Sequence, residues 1–146
     1  TAIQNLDAIL SSPSSKLLKG VVVGRSDLTK SFGYGKQDVN SKEICEIVEN
    51  TFKEAKSFNF TTIMGGNIGH SSTRFIEDLV ADNLLDKIET RNVIVDLAKS
   101  GTKDMDDLIK NALLFESQRM QYKAQFYNEI GESYIKRSKT ILDRIS

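Results

Sequence analysis

The run KGVVVG at residues 19–24 constrains the fold more than any other part of the sequence. Three successive valines without polar alternation are typical of a strand in a parallel sheet, where both faces are covered. Further strands are predicted at 60–64 (FTTIM) and 85–89. A helix at 40–56 is predicted between the first and second strands, and a helix at 72–82 between the second and third. Strands that alternate with helices predict an α/β fold with right-handed βαβ units.

The helix predicted from Asn40 carries a start signal and an apolar face. Asn40 is expected to cap it, with Glu43 three residues later in the register of a capping box. Cys45 lies on the apolar side and is predicted to be a core thiol. The residues expected to be buried are Ile44, Ile47, Val48, Phe52 and Ala55.

The two ends of the chain are predicted to be helical, at 2–10 and from 104 to 145. Gly131 is expected either to divide the long C-terminal stretch or to kink it. Residues 93–95 (VIV) either extend the third strand or begin a helix, and a short strand ending near Thr90 is favoured. The tail aromatics are predicted to pack or to form an interface: Phe115, Tyr122, Phe126, Tyr127 and Tyr134.

Length and charge exclude several classes of protein. A chain of 146 residues favours one domain. Its 20 basic and 20 acidic side chains argue against nucleic acid as a partner. The single cysteine excludes an intrachain disulfide framework, and it fits a reducing, cytoplasmic location. No apolar run reaches the roughly 18 to 20 residues needed to span a bilayer, so no membrane association is expected.

Polar residues follow the first strand directly, in GRSDLTKSFG at 24–33. In parallel α/β folds the functional groups gather at the carboxyl ends of strands. Asp27 offers an oxygen ligand suited to Mg²⁺ or Mn²⁺, and the backbone N–H groups of Ser26 and Asp27 can bind a carboxylate. The alternative is that Asp27 only caps a short helical turn.

A glycine-rich loop, GGNIGHSS, occupies residues 65–72 between a strand and a helix. Gly65 and Gly66 are candidates for anion binding, because glycine lets backbone approach a ligand and a helix N-terminus attracts negative charge. The loop matches neither a Walker motif nor GxGxxG, so the alternative is a tight turn capped by a serine. His70 is either titratable near neutrality at this site or an exposed side chain without a role.

Glu89 and Arg91 lie in ETRN at 89–92, where the third predicted strand ends. Arg91 is a further candidate for anion binding, because its planar guanidinium suits a carboxylate. The alternative, which the spacing favours, is a structural ion pair between Glu89 and Arg91.

Residues 5–10 (NLDAIL) and 20–33 (GVVVGRSDLTKSFG) resemble the HpcH/HpaI aldolase and citrate lyase β-subunit family. Members of that family have a strand that ends in G-x-x-D-L-[ST]-x-S-x-G. The matching positions are Gly24, Asp27, Leu28, Thr29, Ser31 and Gly33, with Ala2, Asn5 and Leu6 in the preceding helix. Arg25 departs from the small residue or proline common there. The resemblance is weaker from residue 34 to about 91 and absent from the tail.

The resemblance implies a TIM barrel that uses a divalent metal, Mg²⁺ or Mn²⁺, to bind a keto acid or an acyl-CoA equivalent. It implies that Asp27 is a metal ligand and that the backbone N–H groups of Ser26 and Asp27 hold the substrate carboxylate. With their neighbours in the same segment, the expected substrate-binding residues are Gly24, Arg25, Ser26 and Asp27. The family's second metal ligand, a glutamate, would fall just before Thr1. Because the chain begins at Thr1 within an amphipathic pattern, we expect it to be part of a longer polypeptide.

These expectations combine into one interpretation. Residues 1–101 form about three βα units from the C-terminal part of a TIM (β/α)8 barrel, and residues 102–146 form a helical extension for packing or oligomerisation. The parent is a metal-dependent carbon–carbon lyase acting on a 2-keto acid, a hydroxy-dicarboxylic acid or an acyl-CoA. The chain alone is expected to be inactive, and the rest of the barrel or another copy is expected as a partner. The alternative is a non-catalytic α/β interaction module that assembles through its C-terminal helices.

Overall fold

A four-stranded mixed sheet forms the centre of the fold, in a computed structural model that describes residues 2–100 and 104–145. The strands follow chain order across the sheet: β1 (Gly20–Gly24), β2 (Thr61–Gly65), β3 (Lys87–Glu89) and β4 (Ile94–Asp96). The first three are parallel, and β4 is antiparallel to β3. The predicted α/β class is confirmed.

Helices and turns connect and flank these strands. The α-helices are α1 (Leu6–Leu10), α2 (Arg25–Ser31), α3 (Lys42–Ser57), α4 (Thr73–Ala81), α5 (Leu97–Ser100) and α6 (Met105–Leu142). The 3₁₀ turns are Ile3–Asn5, Pro13–Leu17, Lys36–Asn40 and His70–Ser72. The predicted order of helices and strands is confirmed up to β3, except that the additional helix α2 directly follows β1.

The short third strand ends at Glu89, which confirms the favoured prediction of an end near Thr90, but the connection after it differs from both predicted alternatives. Residues 93–95 neither lengthen β3 nor begin a helix, because they belong mainly to the separate strand β4. The link is short, and it is closed by a hydrogen bond from Thr90 N–H to Val93 O at 2.8 Å. A link of this length can only reverse the chain, whereas a parallel crossover needs a dozen residues or more.

Two local helix predictions are also corrected. Ser41 caps α3, with its Oγ accepting from Ile44 N–H at 3.4 Å, whereas Asn40 ends the preceding 3₁₀ turn. Gly131 does not divide the C-terminal stretch, because α6 is continuous through it. A single glycine weakens a helix without ending it when its neighbours favour helix.

One face of the sheet carries the hydrophobic core. Val23, Met64 and Ile88 are neighbours across β1, β2 and β3, and all are buried. Side chains of α3 and α4 pack against them, including Ile44, Val48, Phe52, Ile76 and Leu79. Phe52 and Ile44 are fully buried, as the apolar spacing of α3 predicts. The helices α3 and α4 therefore cover this face.

The opposite face is open to solvent. Side chains alternate along a strand, so this face carries Val22 of β1, Ile63 of β2, and Lys87 and Glu89 of β3. Val22 is 52% exposed, and Ile94 beside Glu89 is 62% exposed. The prediction that β1 is covered on both faces is therefore wrong for this chain by itself. Parallel sheets are normally covered on both faces, so the open face is unusual.

The contacts divide the chain into two compact units, Thr1–Leu113 and Leu114–Ser146. The first contains the sheet and its helices, and the second contains the C-terminal part of α6 with the turn after it. The predicted boundary between barrel and extension, at 101 and 102, lies outside the described residues. Within the described ranges, no helix is both long enough and apolar enough to cross a bilayer.

Asp86 holds the amino ends of β2 and β3 together. Its Oδ2 accepts hydrogen bonds from Thr62 N–H at 2.7 Å and from Lys56 Nζ at 2.6 Å. Partial burial alone would raise the pKa of Asp86, but the bonds from Lys56 and Thr62 outweigh it and hold this pKa below its usual value. The ionised carboxylate is therefore favoured in the folded state.

We expect Asp86→Ala to lower the free energy of unfolding by about 1–3 kcal/mol at neutral pH, because the fully buried Thr62 loses its N–H partner. The folded-state pKa is depressed, so this stability is present above the ordinary carboxyl pKa and is lost as pH falls through the folded value. Urea unfolding at several pH values measures both effects. Asp82→Ala, at an exposed carboxylate, is the control, and equal losses in the two variants would contradict the assignment.

Candidate functional site

The carboxyl ends of β1 and β2 meet at the same level of the sheet. Gly24 pairs in register with Gly65, and α2 begins at the next residue, Arg25. Asp27 lies in the first turn of α2. A Cβ atom built on Gly24 would lie 3.8 Å from Asp27 Oδ2, so this carboxylate is next to the end of β1.

Glu89 is a second carboxylate at this edge. A Cβ built on Gly65 would lie 2.8 Å from Glu89 Oε1 and 2.7 Å from Glu89 Cγ. Glu89 is therefore positioned against the end of β2, and Asp27 is positioned against the end of β1. Because Gly24 and Gly65 alternate with the buried Val23 and Met64, their missing side chains would point to the open face.

Gly66 brings the glycine-rich loop against the start of α2. Its φ is +84°, and a Cβ there would come within 2.4 Å of Ser26 N and 2.6 Å of Arg25 N. Those distances are far inside van der Waals contact, so only glycine allows this approach of two backbones. The predicted sites at residues 24–27 and 65–72 are therefore brought together by the fold.

The buried side chain of Arg25, the first residue of α2, forms hydrogen bonds to the glycine-rich loop. Its side chain is fully buried, with Nη1 donating to Asn40 Oδ1 at 2.6 Å. Nη2 donates to Gly66 O at 3.2 Å and to Ser72 Oγ at 3.0 Å. Asn40 extends the network through Nδ2, which donates to Ser71 Oγ at 3.0 Å. The guanidinium thus joins α2, the 3₁₀ turn before α3, and the glycine-rich loop.

The charge of Arg25 is buried among neutral partners. Burial lowers the pKa of Arg25 to about 10, and the nearby Cys45 opposes that shift. The guanidinium stays protonated at neutral pH, yet no ion pair of the described residues includes it. Substrate binding by Arg25 stays a prediction, and the contacts show a positioning role. Cys45 is partly buried, which raises the pKa of its thiol.

Two other predicted site residues lie apart from these contacts. Arg91 is exposed, and the described ion pairs do not join it to Glu89, so the favoured ion pair is wrong. His70 is exposed, but its Nδ1 lies 2.9 Å from Asp106 Oδ1. A hydrogen bond from Thr73, together with the one from His70, lowers the pKa of Asp106. His70 therefore ties the glycine-rich loop to the first turn of α6.

Sequence reasoning missed the roles of Asn40 and Glu89. Asn40 was interpreted as a helix cap, but its amide accepts from Arg25 and donates to Ser71. Glu89 was interpreted as the partner of Arg91, but it lies against Gly65. Neither contact has a local sequence signal, although the position of Glu89 at a strand end is a general indication of a functional role.

Two hollows lie at the opposite, amino-terminal end of the sheet. Their volumes are about 250 and 370 Å³, and both are lined in part by Lys56 and Asp86. The ion pair between these residues belongs to the network that stabilises β2 and β3. Residues at this end of parallel strands serve mainly stability, so we place the candidate site at the carboxyl end.

Comparisons with known proteins add nothing to this geometry, since no protein-family model, curated protein or solved structure matches the chain. Interpretation of the site therefore depends on its own chemistry. Asp27 and Glu89 place carboxylate oxygens beside Gly24 and Gly65, at the carboxyl ends of β1 and β2. In the part of the chain that the structure describes, no group of three His, Cys, Asp or Glu side chains is placed to hold a metal.

We expect Gly66→Ala to destabilise the protein by at least about 2 kcal/mol more than Gly33→Ala. Both glycines have positive φ, but a Cβ at Gly33 meets nothing within 4 Å, whereas one at Gly66 meets backbone nitrogen. Comparing the two variants therefore separates the destabilisation caused by the close backbone approach at Gly66 from the destabilisation caused by a positive φ alone. Thermal and urea unfolding of the two variants measure it, and equal destabilisation would show that the loop does not lie against α2.

Proposed function

We propose that this chain is part of a metal-dependent carbon–carbon lyase of the aldolase or citrate lyase type. The observation that carries the proposal is the placement of Asp27 and Glu89 at the carboxyl end of an open sheet face, next to Gly24 and Gly65. In barrel enzymes, catalytic residues come from the ends of several strands at this face. The resemblance at residues 20–33 independently implies a metal ligand at Asp27.

The sheet has one face covered by helices and one open face, and this difference supports a TIM-barrel origin. Helices α3 and α4 cover one face, as helices cover the outside of a barrel, and the open face corresponds to the barrel interior. The parallel order β1-β2-β3 fits successive βα units. The antiparallel β4 is not a barrel strand and occupies the outer edge of β3. In the proposed barrel, the missing strands continue from β1, and pairing at β3 requires displacement of β4.

The residues present fit a hard divalent cation, Mg²⁺ or Mn²⁺. Such ions are bound by one or two carboxylates, with water and substrate oxygens completing the shell. Asp27 is the proposed ligand, and the barrel segment outside this chain would supply the second. The metal would polarise the carbonyl of a 2-keto acid or an equivalent substrate and stabilise the negative charge that develops as the carbon–carbon bond breaks.

The remaining groups have supporting roles in this proposal. Backbone N–H groups of Ser26 and Asp27 orient the substrate carboxylate, and Gly24 leaves room for it beside Asp27 at the end of β1. Gly65 and Gly66, with Arg91, remain candidates for binding a further anionic group. Arg25 holds the loops that carry these groups. The proposed setting is the cytoplasm, with the rest of the barrel or another copy of the chain as partner.

We expect Mn²⁺ with oxalate, a mimic of the enolate of pyruvate, to raise the melting temperature of an assembly that contains the whole barrel, because the second ligand lies outside this chain. At ten times the dissociation constant, the stabilisation is about 1.4 kcal/mol. Asp27→Ala should abolish this shift and leave the circular dichroism spectrum unchanged, because the side chain contributes little to the core. Asp7→Ala, at an exposed carboxylate of α1, is the control.

Two results would contradict the proposal. One is an equal metal-dependent shift in the Asp27→Ala variant, and the other is no shift in the wild-type assembly. In an assembly that contains the whole barrel, Asp27→Ala should also abolish metal-dependent cleavage of 2-keto acid substrates. Cleavage at the wild-type rate in that variant would rule out Asp27 as the ligand.

The second candidate function is a non-catalytic interaction module that assembles through α6. The observation that favours it is the row of exposed apolar side chains on this helix, including Tyr127 at 63% and Tyr134 at 69% exposure. It predicts a folded chain that binds no metal and self-associates. The metal titration above therefore separates the two candidates.

A further inference from the structure

The C-terminal part of α6, from Leu114 onward, carries two adjacent stripes of side chains. Within each stripe, one residue follows the next after seven positions in the sequence. One stripe consists of large side chains, namely Met120, Tyr127, Tyr134 and Ile141. The other consists of small residues, namely Ser117, Ala124, Gly131 and Ser138. All eight are exposed in the structure. A sustained seven-residue repeat is the pattern by which helices wind around one another in a left-handed coiled coil.

Gly131 is the member of the small stripe whose lack of a side chain needs an explanation. A Cβ built on it meets nothing within 4 Å, so packing inside this chain does not require glycine there. Glycine in the middle of an exposed helix is destabilising relative to alanine, because the unfolded chain gains more freedom. A close approach by a side chain from outside the chain explains a glycine at this position of the small stripe.

We propose that a second copy of this chain covers the two stripes, with the two α6 helices antiparallel. In this arrangement each large residue faces a small one of the other copy. Tyr127 packs over Gly131, Tyr134 over Ala124, Met120 over Ser138, and Ile141 over Ser117. This inference goes beyond the lyase proposal and does not depend on it.

Size complementarity selects the antiparallel orientation. In a parallel pair, Tyr127 would face Tyr127 and Gly131 would face Gly131. Layers of two large residues would then alternate with layers of two small ones, leaving gaps between the helices. Protein interiors and stable interfaces are packed without such gaps. The antiparallel pair fills every layer with one large and one small residue.

The positions beside the stripes also suit a second copy. The antiparallel register places Leu114 near Leu142 and Ile130 near Ile130 of the other copy, and all three are exposed. It also places Glu116 near Arg144, an attractive pair, although Lys123 faces Arg137. If the seven exposed apolar side chains of this interface (Leu114, Met120, Tyr127, Ile130, Tyr134, Ile141 and Leu142) bury roughly 80 Å² each, it reaches about 560 Å² per copy. The total of about 1,100 Å² exceeds the roughly 1,000 Å² expected of a specific interface.

Three of the tail aromatics are not used by this interface. Phe115, Tyr122 and Phe126 fall at other positions of the seven-residue repeat and lie outside the two stripes. Their substitution should therefore leave the association unchanged. Of the five predicted interface aromatics, the proposal retains only Tyr127 and Tyr134.

The first test compares Gly131→Leu with Ser133→Leu in the full chain, by sedimentation velocity over a range of concentrations. Both changes add the same side chain and favour helix, but residue 133 lies outside the stripes. The wild-type chain should dimerise. Gly131→Leu should raise the dissociation constant at least tenfold, with no loss of helicity, and Ser133→Leu should not. A monomeric wild-type chain, or equal effects of the two variants, would overturn the proposal.

The second test determines the orientation, with Cys45→Ala as the background. Asn128→Cys should cross-link to itself through a short bis-maleimide, because residue 128 lies near the two-fold axis. Leu114→Cys should not, because its two copies are about 42 Å apart in the antiparallel pair. A mixture of Leu114→Cys and Leu142→Cys chains should form the cross-linked heterodimer. Self-cross-linking of Leu114→Cys would indicate parallel helices and overturn the proposal.

Discussion

The in-register pairing of β1 with β2 is the constraint on which the site depends. It runs from Gly20 with Thr61 to Gly24 with Gly65, so both strands end at the same level. The segments that follow them, α2 and the glycine-rich loop, must therefore share one small volume. Gly66 makes that possible by having no side chain, and the buried guanidinium of Arg25 holds the two segments together. Every candidate group at this edge is positioned relative to these contacts.

A buried arginine without a carboxylate partner has an energetic consequence. Burial opposes its charge, and among the described residues its hydrogen bonds go to neutral oxygen acceptors of Asn40, Gly66 and Ser72, while the nearby Cys45 also favours the charged form. Removing one acceptor would leave a buried donor unsatisfied, so the four residues act as one unit. Such a unit fixes loop geometry more strictly than apolar packing does, because hydrogen bonds are directional. Strict geometry is what a metal or substrate site at the adjacent edge would require.

Both compact units expose apolar side chains to solvent. In the first, the open face of the sheet exposes Val22 and Ile94, and in the second, α6 exposes its apolar stripe. The proposed partners of these two surfaces differ. Barrel strands outside this chain are proposed to cover the sheet, and a second copy of this chain is proposed to cover α6. The two proposals are independent, and each is tested by its own measurement.

The order of the elements could be predicted because it depends on local patterns. The valine run predicted β1, and the spacing of Ile44, Val48 and Phe52 predicted α3 and its buried face. The strand β4 and the cap at Ser41 were missed, since short elements carry little periodic signal and neighbouring polar residues cap almost equally well. Asp27 and the glycines were identified by their position after strands, which is also a local feature.

The sequence by itself determined the α/β class, the strand-end position of Asp27 and the seven-residue repeat on α6, because these follow from the periodicity of the backbone. Only the tertiary structure decided that Arg25 is buried, that Asn40 accepts from it, and that Glu89 lies against Gly65. It also decided which face of the sheet is open. These features join residues far apart in the chain, and such contacts depend on packing and strand register, which no local pattern specifies.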